Sequence, residues 1–123
     1  MKYQSTITGW GSDALGFLED EDNSFLIIFN DNAPEELTEI AVIHSQTKLH
    51  ADPIPGDTLI ICDKAFTITA IGTEALHTLR ELGHCTLGFN GGDVPLRPGY
   101  IMLKGESPLK PDDVAVGGTI ELY

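Results

Sequence analysis

Thr58-Leu59-Ile60-Ile61-Cys62, then Asp63-Lys64, then Ala65-Phe66-Thr67-Ile68-Thr69-Ala70-Ile71 is the stretch whose reading decides the fold. Two apolar runs rich in β-branched residues flank a short polar step, which is the pattern of a β-hairpin. The turn Ile54-Pro55-Gly56-Asp57 leads into it, and Gly72-Thr73 closes it.

The same punctuation recurs on both sides. Tyr3 to Trp10 alternates, with Tyr3, Ser5, Ile7 and Gly9 on one face and Gln4, Thr6, Thr8 and Trp10 on the other, as in a partly buried strand. Ser24 to Phe29 reads as a buried strand. Glu39 to Ser45 reads as another, with Ile40, Val42 and His44 on one face because successive strand side chains alternate. Further on, Cys85 to Phe89, Tyr100 to Lys104 and Thr119 to Tyr123 are strands bordered by glycine-containing turns. Asp13 to Leu18 has no clear period, and Glu19-Asp20-Glu21-Asp22-Asn23 is a solvated acidic turn.

Two short helices interrupt the strands. Ala33 to Thr38 has Asn32 as an N-cap and Pro34 in its first turn. In Glu74 to Leu82, the residues Ala75, Leu76, Leu79 and Leu82 recur near the helical period, with Thr73 as cap and Gly83 just past the end. About seven short strands with a turn every ten residues or so predict an all-β fold. The expected architecture is a small closed or partly closed β-barrel with one or two short helices. No linker or repeat divides residues 1–123, so one domain is expected.

Nineteen acidic residues face seven basic ones, a net charge of -12. Nucleic-acid binding needs a basic footprint that this chain lacks, and anionic membrane surfaces repel it. Taken alone the charge reads as a solubility device; it also suits electrostatic steering toward a basic protein partner. The longest apolar run, Phe25 to Phe29, is far short of the about 20 residues of a membrane span. Met1 to Thr6 has no apolar signal-peptide core. A cytoplasmic protein without membrane insertion is expected. Cys62 and Cys85 form no C-x-x-C and read as buried thiols.

No nucleophile elbow, P-loop, dinucleotide fingerprint or H-E-x-x-H is present. Gly88-Phe89-Asn90-Gly91-Gly92 lacks the Lys-Ser/Thr pair of a phosphate cradle and reads as a turn. Chemistry therefore rests on four histidines, whose ring nitrogens titrate near neutrality and serve as nucleophiles or ligands. His77, on the polar side of its helix, and His50, in a loop, read as surface residues. His44 and His84 each border an apolar strand, where a histidine is most often a satisfied structural group. A metal enzyme using His44, His50, His84 and Glu81 is an alternative. Its spacing lacks H-x-H or H-x-x-x-H, so neither metal nor other cofactor is expected.

Several segments together point to a family. They are Ala33-Pro34 with Leu37 and Glu39, the strand into Ile43-His44, Pro55-Gly56, Thr69-Ala70-Ile71-Gly72, and Pro98-Gly99 with the strand from Gly117 to Leu122. The sharpest is Leu79-Arg80-Glu81-Leu82-Gly83-His84, followed by Thr86-Leu87 and Phe89. The sequence resembles the glucitol/sorbitol-specific IIA component of the phosphoenolpyruvate-dependent sugar phosphotransferase system. Gln46 stands where members of that family can carry a further histidine.

The resemblance implies a β-barrel phosphoryl carrier in bacterial sugar uptake. It would accept phosphate from the histidine of HPr and pass it to the IIB domain of a glucitol/sorbitol transporter with its IIC component. The phosphorylated residue it implies is His44. Such a carrier needs a neutral imidazole with one nitrogen exposed and the other N–H held by an acceptor. It also needs donors around the phosphoryl oxygens, for which Ser45, Thr47 and Lys48 are candidates. His84 is a candidate helper if the fold brings it to His44. The competing reading is a non-catalytic regulatory or binding barrel. Thr119 to Tyr123 is an edge strand that could pair across a dimer.

Overall fold

The computed structural model describes residues 1–123. Alternation of buried and exposed side chains drives the architecture: along β1 (Tyr3–Trp10) the residues Tyr3, Ser5 and Ile7 are buried and their neighbours exposed. The other strands are β2 (Phe25–Asn30), β3 (Ala41–His44), β4 (Thr58–Ile61), β5 (Lys64–Ile71), β6 (Cys85–Gly88), β7 (Tyr100–Lys104) and β8 (Thr119–Leu122). They close into a barrel in the order β1-β3-β2-β6-β7-β5-β4-β8, with β8 returning to β1 through Tyr3 opposite Leu122. The expected closed barrel is therefore present, with eight strands. β8 pairs with both β1 and β4, so Thr119 to Tyr123 offers no free edge for a second copy.

Two pairs, β2 with β3 and β6 with β7, run parallel. A parallel pair cannot be joined by a hairpin and needs a crossover. The first crossover carries helix α1 (Glu35–Thr38), and the second is the long loop before Tyr100. The remaining pairs are antiparallel. The β4–β5 hairpin turns one residue earlier than its composition suggests. Cys62 and Asp63 hold φ of 49° and 69°, the left-handed conformation that a type I′ hairpin turn demands at both central positions.

The helix starts also differ from expectation. The Asn32 N–H is taken by the Asn30 side chain, and α1 begins after Pro34 without a side-chain cap. Helix α2 (Thr73–Leu82) has Gly72 rather than Thr73 at its N-cap. Its first free N–H groups, on Glu74 and Ala75, donate to the Pro98 carbonyl at 3.0 Å each. Backbone from the β6–β7 crossover thus replaces the side-chain cap. A short 3-10 turn at Gly16–Glu19 falls mostly in the Asp13 to Leu18 segment that had no clear period, and a second lies at Pro111–Asp113.

The core is a single cluster of 23 buried residues, with contributions from every strand, from Ala75 and Leu79 of α2, from Leu18 of the first 3-10 turn and from loop residues such as Leu109. Each fully buried Leu or Ile in it contributes about 1.5–3 kcal/mol relative to exposure. The registers place the C-terminal ends of β2 and β3 beside the N-terminal ends of β1 and β6. The end of α2 meets the barrel there, and so does His44.

Candidate functional site: a buried histidine beneath the end of α2

His44 is the last residue of β3, opposite Ile7 of β1 and Asn30 of β2. Alternation with Val42 turns it inward, and it is 0% exposed. The histidine expected to keep one nitrogen exposed is thus a covered one. The cover comes from α2. Its last turn ends at Gly83, which is left-handed with φ 59°. The Gly83 N–H donates to Leu79 O, and the His84 N–H reaches back to Thr78 O at 3.1 Å. The bond from the αL residue Gly83 back to Leu79 is the αL ending of a helix, for which a glycine serves best. It aims the Gly83 carbonyl into the barrel end.

The Gly83 oxygen lies 2.7 Å from Nε2 of His44, and the Ser45 oxygen lies 3.0 Å from Nδ1. A Cβ at Gly83 would stand 2.7 Å from His44 Cε1 and 3.0 Å from Asn30 Cβ, so space and backbone both require glycine. Two carbonyls on one ring would favour the imidazolium, which donates from both nitrogens. Burial opposes it and prevails, holding the His44 pKa below the ordinary histidine value despite the Gly83 and Ser45 carbonyls and the Asp31 charge. The ring is therefore neutral near pH 7, with one proton for two acceptors. Either ring nitrogen can carry it, and the carbonyl facing that nitrogen accepts.

His84 follows the turn and has the environment expected of His44. Its Nδ1–H donates to the Ile28 carbonyl at 3.1 Å, fixing the tautomer. Its ring stacks on Phe29 with centroids 4.5 Å apart. It is half-buried, and Nε2 makes no hydrogen bond within the protein. The two histidines are joined through the Gly83–His84 backbone, and no hydrogen bond links their rings.

The other sequence-predicted residues are placed differently. The Ser45 Oγ accepts the Thr6 N–H at 2.9 Å, while Thr47 and Lys48 are exposed beyond it. The Gln46 amide donates to Asp31 at 2.7 Å, bridging the ends of β2 and β3. His50, His77 and Glu81 face solvent. The structure does not assemble His44, His50, His84 and Glu81, and no three His, Cys, Asp or Glu residues stand together as ligands. Sequence reasoning missed the Gly83 carbonyl, Tyr3 and Phe29. The Gly83-His84 step just past an apolar helix was the available signal for the first. No helix is long and apolar enough to cross a membrane.

Residues 2–121 match the model of a protein family described as the PTS system glucitol/sorbitol-specific IIA component. The chain belongs to this family. It is 36% identical over 119 residues to the glucitol/sorbitol-specific EIIA component of Escherichia coli, covering 97% of this chain and 92% of the relative. The Shigella flexneri component matches equally, at 36% over 119 residues. The crystal structure of a PTS system IIA component from Enterococcus faecalis superposes with a TM-score of 0.72 at 29% identity, covering 97% of this chain and 98% of that one. This glucitol/sorbitol-type IIA component is thus a phosphoryl carrier of sugar uptake, built on a closed barrel.

Proposed function

We propose that this IIA component takes a phosphoryl group from the histidine of HPr onto Nε2 of His44. It then passes the group to the IIB domain of a glucitol/sorbitol transporter on the cytoplasmic side, forming a phosphohistidine intermediate between the two steps. The observation that carries the reading is the Ser45 carbonyl 3.0 Å from Nδ1 of His44. With the proton on Nδ1 and held there, Nε2 has a free lone pair. That lone pair attacks phosphorus as the bond from phosphorus to the donor ring nitrogen breaks. Each ring keeps the proton on its other nitrogen, so the transfer is symmetric in charge. The loose transition state asks mainly for in-line positioning, which a ring fixed between β1 and β2 supplies.

One observation favours a second reading in which His84 carries the phosphoryl group: its Nδ1–H is held by Ile28 and its Nε2 has no partner. Phosphoenolpyruvate, enzyme I and HPr, with intact mass as readout, separate the two. One acid-labile phosphoryl group is expected on the native protein and on His84→Gln, and none on His44→Gln. The reverse pattern would move the role to His84. No gain on the native protein would end the carrier reading altogether.

A further inference from the structure

We infer that the Leu82–His84 turn is a latch on the carrier histidine: the Gly83 carbonyl holds the Nε2–H of His44 and keeps the ring from phosphoryl transfer until the turn swings away. This rests on the His44 reading above. Nε2 can attack only with a free lone pair and an in-line phosphorus about 3 Å away. The Gly83 oxygen, 2.7 Å from Nε2, occupies that position. His44 is 0% exposed, so no donor reaches it from another direction.

The second carbonyl gives the latch two states. With the turn closed, the ring proton sits on Nε2 toward Gly83. With the turn open, solvent reaches the ring and the proton moves to Nδ1, where the Ser45 oxygen waits at 3.0 Å. Opening therefore uncovers Nε2 and makes it nucleophilic in one event, with no change in ring charge. Few ties hold the turn: the Gly83 and His84 N–H groups to Leu79 and Thr78, and the His84 side chain to Ile28 and Phe29. Leu82, just before the glycine, is 43% exposed and packs into no core.

Three measurements test the latch. In the resting native protein, two-bond nitrogen–proton correlation is expected to show His44 as the Nε2–H tautomer. Diethyl pyrocarbonate is expected to modify His44 at least about tenfold more slowly than His50, as a site reached only through local opening. Gly83→Ala puts a Cβ against the His44 ring and strains the left-handed turn. It should raise His44 modification at least about fivefold by favouring the open state. An Nδ1–H resting tautomer, equal reactivity with His50, or an unchanged rate in Gly83→Ala would each overturn the proposal. If Gly83→Ala does not fold, the two native-protein measurements decide.

In protein phosphorylated on His44, the Gly83 and His84 amides should exchange with deuterium faster than in the resting protein, because a phosphoryl group and the Gly83 oxygen cannot share one place. Unchanged exchange would also overturn the latch. The resting-state measurements need no phosphoryl group, so failure of the latch is distinct from failure of His44 to load, which the mass assay reports.

Discussion

The ring of Tyr3 stands edge-on to the imidazole of His44, with centroids 6.2 Å apart and planes at 74°, and its buried hydroxyl has no hydrogen-bond partner. One low-dielectric site thus acts on both groups, raising the Tyr3 pKa and lowering that of His44 by desolvation. Both stay neutral. Tyr3→Phe keeps the aromatic wall and removes an unsatisfied polar atom. Stability by chemical denaturation should be unchanged or higher by up to about 1 kcal/mol, with phosphoryl loading retained. A clear loss of stability would show that the hydroxyl has a partner.

Acid should weaken the fold through His44. Its folded-state pKa lies below the ordinary value because burial disfavours the charged ring. The unfolded chain therefore binds the proton more readily. The contribution of His44 is full above the ordinary histidine value of about 6.5 and is lost as pH falls through the lower folded value. Thermal melts at about pH 7.5 and pH 5 should show a larger drop for the native protein than for His44→Gln, in which the titrating group is gone. Equal drops in both proteins would place the acid sensitivity elsewhere.

Gly72→Ala tests the anchoring of α2. A Cβ there would lie 2.0 Å from the Pro98 oxygen, the acceptor for the first N–H groups of the helix. The backbone must shift and those bonds lengthen. A loss of about 2 kcal/mol or more is expected, lowering the melting temperature by roughly 8 °C or more for a domain near this size. Because α2 carries Gly83, the same variant should make His44 more reactive. A melting temperature within a degree of native would contradict the close approach.

The thiols should differ in reactivity. Burial pushes the Cys85 thiol up to about 12, whereas Cys62 is half-buried and raised less, with a hydrogen bond to Ala115 partly offsetting desolvation. Since the thiolate is the reactive form, a disulfide reagent should label Cys62 slowly and Cys85 only after unfolding. Rapid labelling of both in native buffer would mean that the barrel opens.

Electrostatic steering predicts salt dependence. With a net charge of -12, association with a basic carrier protein should accelerate at low ionic strength and slow as salt screens it. Transfer rates from phosphorylated HPr should fall severalfold between about 20 and 500 mM salt. A flat profile would count against steering.

The amino-acid sequence by itself determined the elements. Alternation in Tyr3 to Trp10 and in Thr67 to Ile71 can be satisfied only by strands with one buried face, and the apolar period ending at Leu82-Gly83 marks a helix and its stop. These are local signals, carried by residues two to four apart. The family, too, was legible in Leu79 to His84 and the strand after it. Only the tertiary structure decided which strands meet and whether the two candidate histidines are open or covered. Closure of β8 on β1 removed the edge that Thr119 to Tyr123 offered as a lone strand. The carrier role implied for His44 called for one exposed nitrogen, yet the ring is covered by a carbonyl 39 positions away. His84, with the same apolar flank, kept one nitrogen free. Burial of a side chain depends on what the fold lays across it, and no pattern among its sequence neighbours carries that information.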